Sequence, residues 1–170
     1  STPKIIEKYI SPDNQDNIQI EFSNKTSNKD IFLKSLRIQT SESNGLQYWN
    51  GPIEFHFIIE IKKVMSNVCF SFQIIDQDMS NIGYCWLFNS DFEIGSKPGP
   101  LSLVCTIKNC KLFQGKYSLK TWLTDRKSSQ LLDHQSAIGN FEVRVDNIVH
   151  DEYHWQKDHC RYLEHFEWKI

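Results

Sequence analysis

The sequence lacks any long apolar run, although hydrophobic residues make up 39% of its 170 residues. It has no stretch of about 18 consecutive apolar residues, so we expect no helix that crosses a membrane. The net charge is only −2 at pH 7, which argues against a general attraction to nucleic acids or anionic membranes. The first residues lack the basic-then-apolar order of a secretory signal peptide. These absences favour a cytoplasmic globular protein that binds no nucleic acid.

The sequence also lacks the motifs of common catalytic and metal sites. It contains no G-x-x-x-x-G-K-[ST] phosphate loop and no G-x-S-x-G nucleophile elbow. Its five cysteines are an odd number and form no CxxC pair, and Cys69, Cys85 and Cys105 lie in apolar runs. That pattern is typical of packed, reduced thiols. We therefore expect a binding domain rather than an enzyme, with no metal and no cofactor.

Two small groups of potential metal ligands are weak candidates. His150 and His154 are four residues apart, a spacing that would place both on one face of a helix. Asp76 and Asp78 lie in a turn-forming segment, where two carboxylates are too few to hold calcium. Solvated histidines and a turn-forming aspartate are the simpler interpretations.

What the sequence does contain is apolar and polar residues that alternate with a period of two. In the segment 53–62, Phe55 and Phe57 share a face with three isoleucines, and His56 lies opposite. Similar runs occur at 17–22, 31–40, 68–76, 82–89, 101–107, 116–124 and 140–145, and turn-forming segments occur at 43–52, 76–81, 95–100 and 109–115. About eight short strands separated by turns predict an all-β fold, an Ig-like antiparallel β-sandwich.

The alternation also suggests how the chain is divided. We expect a linker or extension at 1–15, the sandwich at 16–145, a polar connector at 146–160 and a terminal strand at 161–170. A detached strand needs a partner for its backbone hydrogen bonds. It can return to its own sheet or pair with a second copy, so a strand-swapped homodimer is one expectation.

The segment CTIKNCKLFQGKYSLKTWLTD, residues 105–125, combines two cysteines with a turn and a strand. Gly115 fits a tight turn that opens the strand, with Tyr117 at its base. This arrangement resembles the corner of Ig-like sandwiches, where a buried tyrosine hydroxyl ties down the preceding loop. We therefore interpret this segment as scaffold rather than as a redox or zinc site.

Those residues also carry a family resemblance. LVCTIKNCKLFQGKYSLKTWL, followed by LLDHQSAIGNFEV, resembles the C-terminal carbohydrate-binding domain of Wzt-type ATP-binding subunits. These are the ABC transporter components that export O-antigen and related polysaccharides. The similarity spans residues 16–145, and the matching positions are Cys105, Leu112, Gly115, Tyr117, Asp133, Phe141 and Val143.

The resemblance implies an Ig-like sandwich, commonly dimeric, in the cytoplasm. Such a domain recognises the growing end of a bacterial polysaccharide, with any terminal modification, and so licenses export in lipopolysaccharide biosynthesis. Its partners would be the nucleotide-binding and membrane subunits of the transporter, at the inner face of the inner membrane. The family's domain follows a nucleotide-binding domain, whereas this sequence contains no phosphate loop. Any ATPase domain would therefore lie outside it.

Strand alternation, independently of the resemblance, predicts an aromatic outer face. If the phenylalanines of 68–76 point inward, then Cys69, Ser71, Gln73 and Ile75 point outward. Sugar rings have apolar C–H faces and a rim of hydroxyls, which flat aromatic side chains and fixed polar groups match. The predicted carbohydrate-binding residues are Tyr84, Trp86, Phe88, Trp122, Gln73, Lys120, Arg144 and, in a loop, Trp49.

The same face has other interpretations. A terminal strand carrying Tyr162, Phe166 and Trp168 can cover it, from the same chain or from a partner, and the face would then be core. Alternatively, the face docks another protein and the chain is a protein–protein interaction module. Both sides of 82–89 are apolar, so its orientation can also be inverted, and Trp49 can equally plug the end of the sandwich.

Overall fold

The computed structural model describes residues 18–146, 148, 154, 156 and 159–170, and the regular elements in this part are β-strands and one 3-10 turn at Ser43–Gly45. The strands are β1 (Ile18–Ser23), β2 (Ile31–Gln39), β3 (Leu46–Tyr48), β4 (Ile53–Ile61), β5 (Val68–Asp76), β6 (Asn81–Leu87), β7 (Gly99–Ile107), β8 (Gly115–Asp125) and β9 (Gln130–Arg144). The predicted all-β class is confirmed. In the part of the chain described, no helix is long and apolar enough to cross a membrane.

The strands form two sheets that pack face to face as a sandwich. The first sheet has the order β1-β2-β4-β7 and the second the order β3-β9-β8-β5-β6. All neighbouring strands are antiparallel except β3 and β9, which run parallel. β6 and β7 are therefore the outermost strands of their sheets on one side of the sandwich, and each has a single hydrogen-bonded neighbour.

Aromatic side chains from the two central strands fill the space between the sheets. Phe55 on β4 lies 5.1 Å from Phe72 on β5, measured between ring centroids, and Phe57 lies 4.8 Å from Phe70. All four rings are at most 4% exposed. The alternation predicted for these two strands is confirmed, and it directs one face of each strand into this core.

Two elements differ from the sequence-based prediction. β9 begins at Gln130, ten residues before the predicted start, and β3 forms within a segment expected to be a loop. Ala137 and Gly139 adopt positive φ, and the pairing of β8 with β9 shifts register three times. Such bulges disturb the period of two, which is why the first half of β9 does not look like a strand in the sequence.

Two residues predicted to face outward are buried instead. Ile75 is 0% and Cys69 is 6% exposed. Ser118, the neighbour of Ile75 across the β5–β8 ladder, is buried as well, so the outer face of the second sheet is covered at this end. Alternation predicts the direction of a side chain but not which loops lie over the ends of a sheet.

Within this chain the C-terminal segment forms no sheet ladder in its described part. The expected strand at 161–170 makes one isolated bridge, between Tyr162 and Leu112. Phe166 and Trp168 are 67% and 86% exposed. Pairing of this segment with a second copy stays a prediction. The expected extension at 1–15 and most of the connector at 146–160, including His150, lie outside the described residues.

Candidate functional site

The outer face of the second sheet, on the side of β6, carries the aromatic side chains predicted from the sequence. Tyr84 and Trp86 are 52% and 55% exposed. Cys85 and Leu87, which alternate with them along β6, pack against the core. The predicted orientation of β6 is therefore confirmed. The C-terminal segment of the same chain leaves this face open, since both rings retain half of their surface.

Three of these aromatic rings form a continuous strip along the edge of the sheet. Tyr84 and Trp86 lie 5.5 Å apart between ring centroids, with planes inclined by 33°, and Trp86 and Phe88 lie 6.1 Å apart, inclined by 38°. The strip arises because side chains two residues apart in a strand point to the same face. It offers ring surface to an apolar ligand face, as tilted stacks at interaction surfaces do.

Strand register places the second predicted tryptophan in line with the strip. Trp86 is the neighbour of Ser71 on β5, and Ser71 is the neighbour of Trp122 on β8. The two tryptophan backbones are thus two strand spacings apart, about 9.6 Å. The register sets the small side chain of Ser71 between two indoles, so we expect a shallow groove there. We call Trp86, Ser71 and Trp122 the tryptophan row.

A polar row lies next to the tryptophan row. Tyr84 is the neighbour of Gln73, and Gln73 is the neighbour of Lys120. Because each row is two residues from the next along the strands, the two rows are about 6.8 Å apart. The side-chain amide of Gln73 therefore lies beside the groove, and the Lys120 ammonium donates to the Met79 carbonyl on the side of the polar row away from the groove. We call Tyr84, Gln73 and Lys120 the polar row.

Two further side chains complete this face, and sequence reasoning missed both. His134 stacks on Trp122 at 5.0 Å between ring centroids, inclined by 25°, and its Nδ1 donates to the carbonyl of Thr121 at 2.8 Å. The Arg126 guanidinium carbon lies 4.8 Å from the ring centroid of Phe88, which is a cation–π contact. Both residues lie in or beside the unrecognised first half of β9, so no periodic signal was available for them.

A hollow continues from the polar row towards the other end of the sheet. Its volume is about 640 Å³, and its lining includes Lys116, Ser118, Asn140 and Glu142. Met79 also lines it, and the Met79 carbonyl accepts a hydrogen bond from Lys120 at 3.4 Å. The bulges of the β8–β9 ladder shape this hollow by turning side chains away from the regular pleat. The sequence offers no signal for it, because it depends on register.

The remaining predicted residues, Trp49 and Arg144, lie elsewhere. Arg144 pairs with Tyr48 in the parallel β3–β9 ladder at the opposite edge of the second sheet, where Glu142 accepts from its Nε at 3.0 Å. The hydrogen bond with Glu142 raises the pKa of Arg144. The Trp49 indole donates to the carbonyl of Leu163 at 3.0 Å, so it holds the C-terminal segment. The structure brings these two residues near each other but not to the tryptophan row.

The corner at Tyr117 and the turn at Asp76 form as the sequence predicts. Tyr117 is buried and its hydroxyl donates to the carbonyl of Phe113 at 2.8 Å, which confirms the predicted corner. Asp76 accepts from the backbone amides of Asp78 and Ser80 at 3.0 and 2.9 Å, so it forms the turn. Across the described ranges no group of three or more acidic, histidine or cysteine side chains is placed to hold a metal ion.

The face as a whole is built from groups that stack and form hydrogen bonds. It presents flat rings, a carboxamide and cationic groups, which is a shallow surface for stacking and hydrogen bonding. Asp76 and Glu142 line the hollow, and Glu142 forms an ion pair with Arg144.

Comparisons with known proteins support the fold. No family model matches the sequence, and no curated protein matches it. Among solved structures, the chain is similar to the C-terminal domain of Wzt, with a TM-score of 0.59 and 13% identity, over 70% of this chain and 76% of that domain. A glycoside hydrolase family 2 β-glucuronidase matches with a TM-score of 0.42 and 13% identity, over 76% of this chain and 11% of the enzyme. The predicted resemblance to the Wzt domain is therefore confirmed at the level of the fold.

Proposed function

We propose that this protein is a carbohydrate-binding module that holds a bacterial polysaccharide on the outer face of its second sheet. The observation that carries the proposal is the tryptophan row, in which two indoles flank the small residue Ser71. A sugar ring has apolar C–H faces for the indoles and hydroxyls for Gln73 and Lys120 in the polar row. The sandwich fold shared with the Wzt C-terminal domain supports this class of ligand.

The finer part of the proposal concerns biological setting. By resemblance to the Wzt-type domains, the ligand is the end of an O-antigen or a related chain, and recognition licenses its export by an ABC transporter. The module would then act in the cytoplasm beside the transporter's nucleotide-binding and membrane subunits. A homodimer, formed through the exposed C-terminal segment with Phe166 and Trp168, would raise the apparent affinity by offering two sites to one polymer.

The proposed affinity is modest. A shallow face binds with a dissociation constant in the micromolar to millimolar range, on the order of −4 to −8 kcal/mol. Stacking on one indole contributes about 1 kcal/mol, or roughly fivefold in affinity. Each tryptophan is therefore expected to be individually measurable.

The test is titration calorimetry of the purified chain against bacterial polysaccharides with capped and uncapped ends. Trp86→Ala and Trp122→Ala are each expected to weaken binding fivefold or more, while Val104→Ala, at an exposed position on β7 in the other sheet, leaves it unchanged. A dependence on the terminal group supports recognition of the chain end. If no glycan binds at millimolar concentration, the sugar-binding proposal fails. If the Trp86 and Trp122 variants change the oligomeric state instead, the face is a protein-docking surface.

A further inference from the structure

Two cysteines face each other across the open side of the sandwich. Cys85 lies on β6 beside Phe72, and Cys105 lies on β7 beside Phe55. Phe72 and Phe55 are in contact across the core, with 5.1 Å between their ring centroids. Each cysteine therefore lies on the strand next to one of these phenylalanines, one strand nearer the edge of its sheet. This register brings the two thiols together at the edge.

The two thiols lie on the same open side of the core. Both side chains are half-buried and pack against the core, and the interaction between the two thiols raises the pKa of Cys85 and lowers that of Cys105. Disulfides between the two sheets of a sandwich are a known way to join such layers. A disulfide requires the Cα atoms to approach to about 4.4–6.8 Å. β6 and β7 each have only one neighbouring strand, so small shifts of these edges disturb few other contacts.

The other cysteines lack such a partner in the part of the chain that the structure describes. Cys69 and Cys110 are buried, and Cys160 is half-buried near the C-terminal segment. Burial raises the pKa of Cys110 to about 11 and also raises that of Cys160. The contact with Cys85, in contrast, lowers the pKa of Cys105 to about 7. The thiolate is the reactive form, so Cys105 is the thiol that reacts first.

We propose that Cys85 and Cys105 form a reversible disulfide that latches the two sheets together and fixes the edge strand carrying Tyr84 and Trp86. The inference goes beyond the proposed function and does not depend on it, because it concerns only the two thiols and the edge strands. In a reducing compartment such a bond is transient and responds to oxidants.

The chemistry needs a two-electron oxidant, for which a peroxide suffices. The Cys105 thiolate attacks one peroxide oxygen, the O–O bond breaks, and a sulfenic acid and hydroxide result. The Cys85 sulfur then attacks the Cys105 sulfur, the S–O bond breaks, and the hydroxyl group leaves as water with the thiol proton. The two thiols together lose two electrons and two protons, and one hydrogen peroxide is reduced to two waters. A dithiol reductant reverses the reaction by exchange.

The first experiment treats the whole chain with hydrogen peroxide, blocks free thiols and maps the peptides by mass spectrometry. The wild type is expected to lose two hydrogen atoms and to yield one linked peptide pair containing Cys85 and Cys105. Cys160→Ala, which removes the other half-buried thiol, is expected to give the same pair. In Cys85→Ser, whose hydroxyl can still donate to the Cys105 sulfur but cannot form a disulfide, Cys105 is expected to stop at the sulfenic acid, which a dione reagent traps. Separate over-oxidation of the two thiols in the wild type, or linkage to another cysteine, overturns the proposal.

A second experiment tests whether the disulfide joins the two sheets and restricts the motion of β6. The oxidised wild type is expected to unfold several degrees higher than the reduced protein, because the bond constrains the unfolded chain. Amide hydrogens along β6 are expected to exchange more slowly in the oxidised form. Peroxide treatment is expected to produce neither effect in Cys85→Ser. If the disulfide forms in the wild type but the unfolding temperature and the exchange along β6 stay unchanged, the proposal that the bond joins the sheets and fixes β6 fails.

Discussion

Asp133 on β9 accepts a hydrogen bond from the backbone amide of Leu33 on β2 at 2.9 Å, so a buried carboxylate joins the two sheets. The same carboxylate accepts from Lys29 and from the side-chain amide of Gln135. Asp133 is only 2% exposed. A charge in such a position is tolerated because several donors surround it. Its appearance in the sequence pattern shared with the Wzt-type domains is therefore explained by structure rather than by ligand binding.

Replacing this carboxylate is predicted to destabilise the fold strongly. Asp133→Ala leaves the Leu33 amide without its acceptor and removes the partner of Lys29, and we expect a loss of about 3 kcal/mol in the free energy of unfolding. The measurement is urea unfolding at neutral pH. Asp146→Ala, at an exposed position, serves as the control and is expected to change stability by less than about 0.5 kcal/mol. Equal effects of the two variants would contradict the structural role of Asp133.

The buried hydroxyl of Tyr117 gives a prediction about alkaline pH. Tyr117→Phe leaves the carbonyl of Phe113 without its donor, which is expected to cost about 1–3 kcal/mol at neutral pH. Burial raises the pKa of Tyr117 to about 12, whereas an unfolded tyrosine titrates near 10. The folded protein keeps the proton that the unfolded chain releases, so the contribution of Tyr117 falls as the pH rises from about 10 to 12.

The difference in unfolding free energy between the wild type and Tyr117→Phe is therefore expected to shrink across that pH window. Denaturant unfolding of both proteins at neutral pH and at several alkaline values measures it. Using the difference cancels the titration of groups that the two proteins share. A difference that stays constant up to pH 12 would show that the hydroxyl is not held in its neutral form by the fold.

Gly139 is predicted to tolerate no side chain. It adopts a φ of 66°, and a Cβ atom there would lie 2.6 Å from Leu36 Cδ2 and 2.9 Å from Ile38 Cδ1. Gly99 also has positive φ, but a Cβ atom at Gly99 would meet nothing within 4 Å. Gly99→Ala is expected to cost about 1–2 kcal/mol from backbone strain, and Gly139→Ala about 1–3 kcal/mol more from overpacking. Thermal unfolding of the two variants compares them, and equal losses would exclude the clash.

Filling the groove of the tryptophan row is predicted to block sugar binding without harming the fold. In Ser71→Phe the new ring would occupy the space between Trp86 and Trp122, and we expect glycan affinity to fall at least tenfold. Ser102→Phe places the same ring at an exposed position on β7, in the other sheet, and is expected to leave affinity unchanged. Calorimetry gives the affinity, and the unfolding temperature checks the fold. Retained binding in Ser71→Phe would place the sugar outside the groove.

The part of the fold that could be predicted is the part governed by strand alternation. The core faces of β4 and β5 follow from a period of two, and so does the outward direction of Tyr84 and Trp86, because successive side chains point to opposite faces. The Tyr117 corner was recognisable since its signal is local, a glycine two residues before a tyrosine at the start of a strand.

The rest of the site depends on contacts between distant segments. His134 and Arg126 belong to the face through the pairing of β8 with β9 and the turn between them, and no spacing in the sequence reveals that pairing. Trp49 and Arg144 are separated from the other predicted residues because β3 pairs in parallel with the far end of β9. Register, bulges and edge placement are tertiary properties, and single residues do not encode them.

The attachment of the C-terminal segment has a practical consequence for handling the protein. Trp49 holds Leu163, and Arg161 pairs with Asp76, which lies five residues along β5 from Ser71, or about 17 Å. Residues 161–163 are thus held at the far end of the second sheet, and the residues after them are exposed. A dye attached in place of Arg161 or Leu163 would disturb this attachment, whereas one joined after Ile170 would not. A tether in the 88–98 loop that follows β6 would sit beside the tryptophan row and obstruct large polymers.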